Sequence, residues 1–187
     1  MASIAPLPKV NLTGAGTILA ALHFAADKHR DQRRKDANAS PYINHPIALA
    51  ELLWHKGGVR DTRVIAAALL HDTIEDTETT AAELRRHFGK EIAGIVLEVT
   101  DDKSLPKERR KRLQIEHAGH ASKRAKLVKL ADKICNLRDI LSSPPKDWPL
   151  ATKQRYFDWA KLVVDQVRSA NESLAREFDR LYRKRPK

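Results

Sequence analysis

The sequence predicts an all-α fold: a single domain of about eight helices. Three observations predict it. Apolar residues recur at helical spacing through most of the chain, capping residues and prolines stand at the heads of those stretches, and no segment sustains the alternation of a half-buried strand. The 187 residues are 42% hydrophobic, enough to bury a core, and one domain is the expectation at this length.

Ile18, Leu22 and Ala25 set the helical period over 13–30, and a polar loop follows at 31–44. Pro46 suits the first turn of a helix that runs to about Lys56, where Gly57 and Gly58 stop it. Asp61 is placed to cap a helix carrying Val64 to Leu70. That run is the longest unbroken apolar stretch, far short of the ~20 residues of a membrane span. Thr80 with Glu83 has the capping-box spacing for a short helix that Gly89 ends, and a further helix covers 91–99. Pro106 opens a very basic segment, 107–117. Ser122 precedes a strong helix with Leu127, Leu130, Ile134, Leu137 and Leu141 on one stripe. Pro149 opens one long C-terminal helix whose seam includes Tyr156, Ala160, Val163, Val167, Leu174, Phe178 and Leu181. Residues 1–12 read as an N-terminal extension, 13–182 as the domain, and 183–187 as a basic tail expected to fray.

The net charge of +11 draws polyanions: nucleic acid, acidic membrane or small phosphorylated metabolites. Cys135 is the sole cysteine, which excludes an internal disulfide and leaves almost no room for a cysteine-based zinc site. With no apolar run near the N-terminus, no secretory signal is expected, and the chain reads as cytoplasmic.

The chemistry concentrates in 68–77. With 8 His and 14 Asp in the chain, chance alone gives about 0.6 His-Asp dipeptides, so His71-Asp72 carries little by itself. Its surroundings carry more. Between Arg63 and Arg85 there is no Lys or Arg, yet Asp72, Glu75, Asp76, Glu78 and Glu83 fall there. If the helix continues past Leu70, Asp72, Glu75 and Asp76 share a face and repel unless a cation or solvent relieves them. A solvated helix end is the ordinary alternative. Two other places bear on the choice. Pro41 to Pro46 sets His45 at a helix start, and Asp132 and Asn136 sit one turn apart, off the leucine stripe and flanked by Lys129 and Lys133. Read singly, His45 is a capping residue and Asp132 a surface acid. Together, two histidines and two carboxylates from three helices could enclose one divalent ion and leave positions open for water. Mixed nitrogen and carboxylate donors suit Mn²⁺, Fe²⁺ or Zn²⁺ better than Ca²⁺ or Mg²⁺.

These residues resemble the H…HD…D pattern of the HD phosphohydrolase superfamily. His71 to Thr77 is similar to the HDxxED box of the hydrolase domain in RelA/SpoT-type alarmone enzymes. The strings at 32–36, 41–46, 99–103, 126–138 and 156–160 resemble the stand-alone small alarmone hydrolases, SpoT homologues that also occur in animals. The resemblance implies a helical HD domain binding Mn²⁺ through His45, His71, Asp72 and Asp132. It implies removal of pyrophosphate from the 3′ position of guanosine tetra- or pentaphosphate, with Glu75 and Asp76 as the catalytic acidic pair. It implies Arg34, Lys35, Asn136 and Tyr156 as substrate contacts, with Lys107 a further candidate. One departure stands out: Thr152, next to Lys153, occupies a place where the family carries arginine, which bears on the grip on the far phosphate.

Two rival readings stay open. A phosphatase acting on another nucleotide, such as NADPH at its 2′-phosphate, would use the same metal site. A non-enzymatic basic module for RNA or DNA accounts for +11 but not for the acidic window, and the chain shows neither a phosphate-binding G-x-x-x-x-G-K-[ST] loop nor an aromatic RNA-binding box. The expected partner is therefore a small guanosine polyphosphate, not nucleic acid or a membrane; the oligomeric state is not legible.

Overall fold

A computed structural model describes residues 14–187, and among them helix is the dominant regular structure: nine α-helices and one 3₁₀ turn. They are α1 (Ala15–Lys28), α2 (Asn44–His55), α3 (Thr62–Leu70), the single turn α4 (Thr73–Asp76), α5 (Ala81–Val99), α6 (Lys107–Ala118), α7 (Lys123–Ser142), α8 (Leu150–Val167) and α9 (Glu172–Tyr182). The expected extension at 1–12 lies outside the described residues.

The apolar run 64–70 explains the architecture. Every residue from Val64 to Leu70 is buried, so α3 must be covered on all sides; α1, α2, α5 and α7 pack around it. Asp61 caps α3 by accepting from the Arg63 amide, as its position predicts. The stripe on α7 buries Leu127, Leu130, Ile134 and Leu137, and α2, α5, α8 and α9 also pack on this helix. Ser122 caps α7 through the Ala125 amide. Helices α3 and α7 thus form the centre, and side chains from just past the end of α3 and from the middle of α7 reach one shared space.

Gly89 breaks α5 as its position predicts: its non-helical backbone (φ 78°), which only glycine adopts without strain, sets a kink between two helical halves. Two local expectations change. The long C-terminal helix is interrupted by a 3₁₀ turn (Arg168–Ala170), after which Asn171 caps α9 by accepting from the Leu174 amide. The Asn171 side chain also donates to the Gly57 carbonyl (2.7 Å), where a β-carbon on Gly57 would stand 3.2 Å from Leu174, so α9 turns back onto the end of α2. Finally, the basic tail is tied down: Arg185 pairs with both oxygens of Asp158 (2.8 Å each), and Gln154 donates to the Pro186 carbonyl.

Candidate active site

Helix α3 ends at Leu70, and His71 and Asp72 form the turn into α4. The helix therefore does not run on unbroken, although the Asp76 amide still bonds the Asp72 carbonyl (2.8 Å). The turn aims His71 and Asp72 at His45, on the first turn of α2. Among the described residues these three offer ligand atoms that all lie within 4.8 Å of one another. Asp132 of α7 joins them: its Oδ1 is 3.2 Å from His45 Nε2 and 3.9 Å from His71 Nε2. Three elements far apart in sequence thus converge on one point.

The proton inventory of this cluster is telling. His71 Nδ1 lies 2.8 Å from the Ala68 carbonyl, an acceptor only, so Nδ1 carries the proton. His71 Nε2 is buried, 2.9 Å from Asp72 Oδ2, and forms no hydrogen bond among the described residues. His45 Nδ1 is likewise buried and unpartnered, 3.8 Å from Asp139 Oδ2. Packing imidazole nitrogens against carboxylates is costly unless a proton or a metal cation lies between them. Burial works against charge on His71, yet the Asp72 and Asp132 carboxylates hold its pKa up to about 9. Burial would raise the pKa of Asp72, but His71 and His45 hold it well below the usual carboxylate range. Asp132 is pulled down in the same way, chiefly by Lys133 and His45 against the effect of burial. The donor set, two nitrogens and two carboxylates with His71 fixed from behind by a carbonyl, fits a divalent transition-metal ion.

Around this core lie supporting groups. The Tyr42 hydroxyl donates to Asp72 Oδ2; Asn136 and Lys133 donate to the two oxygens of Asp132, at 2.6 and 2.9 Å. Glu75 faces the cavity from α4, its Oε2 accepting from the Asp101 amide (3.2 Å). Burial, with the charges of Asp72, Asp101 and Asp76, pushes its pKa up to about 7 despite that amide. Asp76 accepts from Gln32 (3.1 Å) and pairs with Lys103.

The acidic window does receive counter-charges, but from distant segments: Lys103 to Asp76, Arg110 to Glu75 (3.7 Å) and Lys28 to Glu83 (2.9 Å). Local sequence cannot display such pairs.

Two cavities meet at the cluster. The smaller, about 210 Å³, is lined by His45, His71, Asp72, Glu75, Asp76, Lys129, Asp132 and Lys133 among others. The larger, about 560 Å³, is lined by Arg34, Lys35, Asn136, Trp148 and Tyr156, with Asp139 and Ser143. Arg34 is presented by the 31–43 loop, whose Arg34 amide and Ser40 carbonyl pair at 2.9 Å. Its guanidinium pairs with Asp139 and lies 5.7 Å from the Tyr42 ring centroid. The sequence-derived candidates therefore gather here, with one exception. Lys107 sits exposed at the head of α6, outside the lining of both cavities; Lys103 and Arg110 are the cations that this region brings to the acidic pair. Thr152 also lies outside both linings and accepts from Arg155 (2.9 Å).

A family model described as HD domain matches residues 21–162. The chain belongs to the HD domain family. This HD domain is 54% identical, over 90% of its length and 94% of the relative's, to the guanosine-3′,5′-bis(diphosphate) 3′-pyrophosphohydrolase MESH1 of Xenopus tropicalis. The human protein of the same name is 52% identical over 91% of this chain and 96% of its own. A solved structure described as "A metazoan ortholog of SpoT hydrolyzes ppGpp and plays a role in starvation responses" superposes with a TM-score of 0.89, at 45% identity, covering 94% of this HD domain and 98% of that chain. No helix among the described residues is long and apolar enough to cross a membrane.

Proposed function

We infer that this HD domain is a metal-dependent hydrolase that removes pyrophosphate from the 3′ position of guanosine 3′,5′-bis(diphosphate), giving GDP from the tetraphosphate and GTP from the pentaphosphate. The relatives support the substrate. The observation that carries the chemistry is a shared wall: Arg34, Tyr42, His45, Asp76 and Asn136 line both cavities. A nucleotide seated in the larger, cationic and aromatic cavity thereby presents a phosphate ester to the smaller, acidic one.

His45, His71, Asp72 and Asp132 would hold the ion; the mixed nitrogen and carboxylate donors suit Mn²⁺, Fe²⁺ or Zn²⁺, and the resemblance to the small alarmone hydrolases favours manganese among them. Bound there, it supplies a water that is acidic near neutral pH and positive charge beside the attacked phosphoryl oxygens. Glu75 takes the water's proton on Oε1, since the Asp101 amide occupies Oε2, and a pKa near 7 suits a group that accepts and returns protons at neutral pH. Asp76, held by Gln32 and Lys103, assists in orienting that water. Arg34 and Lys35 neutralise substrate phosphates, Arg34 leaving Asp139 to do so, while Asn136 and Tyr156 bound the nucleoside. The single buried thiol of Cys135, its pKa pushed up to about 12 by burial, suits a reducing, cytoplasmic setting.

The test is product identification with purified, Mn²⁺-loaded protein. Equimolar GDP and pyrophosphate from guanosine tetraphosphate are expected. Stepwise orthophosphate, or a kcat/KM for NADPH tenfold higher (about 1.4 kcal/mol in transition-state terms), would refute the assignment.

A further inference from the structure

Lys129 and Lys133, one turn apart on α7, are both buried, at 7% and 5% exposure, and both line the smaller cavity. Their circumstances differ. Lys133 donates to Asp132 (2.9 Å) and its ammonium lies 4.4 Å from the Trp159 ring centroid. Lys129 forms no hydrogen bond and no ion pair with any described residue. Each neighbouring acid is already engaged: Asp101 accepts from Gln114 (2.5 Å), Glu75 from the Asp101 amide, and Asp132 from Lys133 and Asn136. Burial and the charge of Lys133 both disfavour the ammonium, lowering its pKa.

The Lys129 stem is buried while its ammonium opens on the cavity with no partner among the described residues. Such a group is explained when an anion arrives to pair with it. Arg34, the other cation lining this cavity beside the two lysines, is held by Asp139, and Lys133 is held by Asp132. Among the described cations that line this cavity, Lys129 is the one without a carboxylate partner. We propose that Lys129 binds the terminal phosphoryl group of the 3′ diphosphate and stays with it as it departs as pyrophosphate. The inference rests on the functional reading above and adds the residue that separates a diphosphate from a monophosphate at this position. A substrate with one phosphoryl group there places nothing against Lys129.

The experiment compares wild type with K129M and K129Q, all Mn²⁺-loaded, on guanosine tetraphosphate and on its analogue with a 3′ monophosphate, and measures inhibition by inorganic pyrophosphate. Both variants are expected to lose kcat/KM on the tetraphosphate at least tenfold more than on the monophosphate analogue. The pyrophosphate inhibition constant should rise at least tenfold while Mn²⁺ affinity changes less than threefold. Metal-free K129M should melt no lower than metal-free wild type, since an unpaired charge has gone. Equal losses on the two substrates, or unchanged pyrophosphate inhibition, would overturn the role of Lys129. Failure of the wild type itself to release pyrophosphate would instead overturn the functional reading.

Discussion

His71 donates a hydrogen bond from Nδ1–H to the carbonyl oxygen of Ala68, 2.8 Å away, which leaves Nε2 as the atom that faces Asp72 and Asp132. This one bond fixes the tautomer and the ring plane. A helix-terminal carbonyl thereby does for His71 what supporting hydrogen bonds do for metal-binding histidines generally. On the proposed function, loading the ion exchanges a proton for the metal.

In metal-free protein the carboxylates keep His71 charged to about pH 9, whereas metal binding requires the neutral ring. Mn²⁺ binding at pH 7.5 is therefore expected to release close to one proton. Apparent affinity should rise about tenfold per pH unit and level off above pH 9. Calorimetry in two buffers of different ionisation heat measures the release; a value near zero would contradict it.

Tyr42 supports Asp72 through its hydroxyl, and its pKa is raised by burial and by the adjacent Asp72 charge, so the phenol stays protonated and donating. Y42F removes that donor with little change in shape. It should weaken Mn²⁺ binding by roughly tenfold, as read by competition with a fluorescent chelator, while the far-ultraviolet circular dichroism stays that of wild type.

Glu75 links pH to stability in the metal-free protein. Its pKa is near 4.5 when unperturbed and about 7 when folded, so the folded chain keeps a proton that the unfolded chain loses between those values. The stabilisation is complete below pH 4.5 and disappears as pH rises through 7. E75Q escapes this loss. Its stability relative to wild type should climb across that window by on the order of 2 kcal/mol, a figure discounted for partial exposure, and then stay level. Denaturant titrations at pH 5 and pH 8 that give the same difference would refute it. The same variant should retain Mn²⁺ and lose turnover by roughly 10²–10⁴-fold.

Lys133 pairs with Asp132 under near-complete burial. Removing one member of such a pair leaves an uncompensated charge, so K133A is expected to destabilise the metal-free protein by about 3 kcal/mol. A change below 1 kcal/mol in urea unfolding would show that His45 and Asn136 alone satisfy Asp132.

Much of this molecule is legible in its residues. Helix starts follow from Asp61, Thr80 and Ser122 because a side-chain cap is a local bond. His45, His71, Asp72 and Asp132 stand out because their pattern resembles a known family's and local packing gives them little reason to be there. What escapes is whatever depends on burial by distant segments. Lys129 and Lys133 read as residues flanking a surface acid, since their spacing fits a polar stripe, but α7 is wrapped so fully that this stripe lines a cavity. Arg110 is lost within a basic run whose average says nothing about which members turn inward, and Lys103 follows two acids of its own segment, which hides its reach to Asp76. The break before α9 hides because its apolar seam keeps phase through the 3₁₀ turn; Asn171, a capping residue followed three positions later by Leu174, was the available clue.

Whether His45, His71, Asp72 and Asp132 hold one ion is read most directly from crystals grown with Mn²⁺ and measured near the manganese absorption edge. A single strong anomalous peak enclosed by those four side chains is expected; a peak elsewhere, or none at saturating manganese, would contradict it.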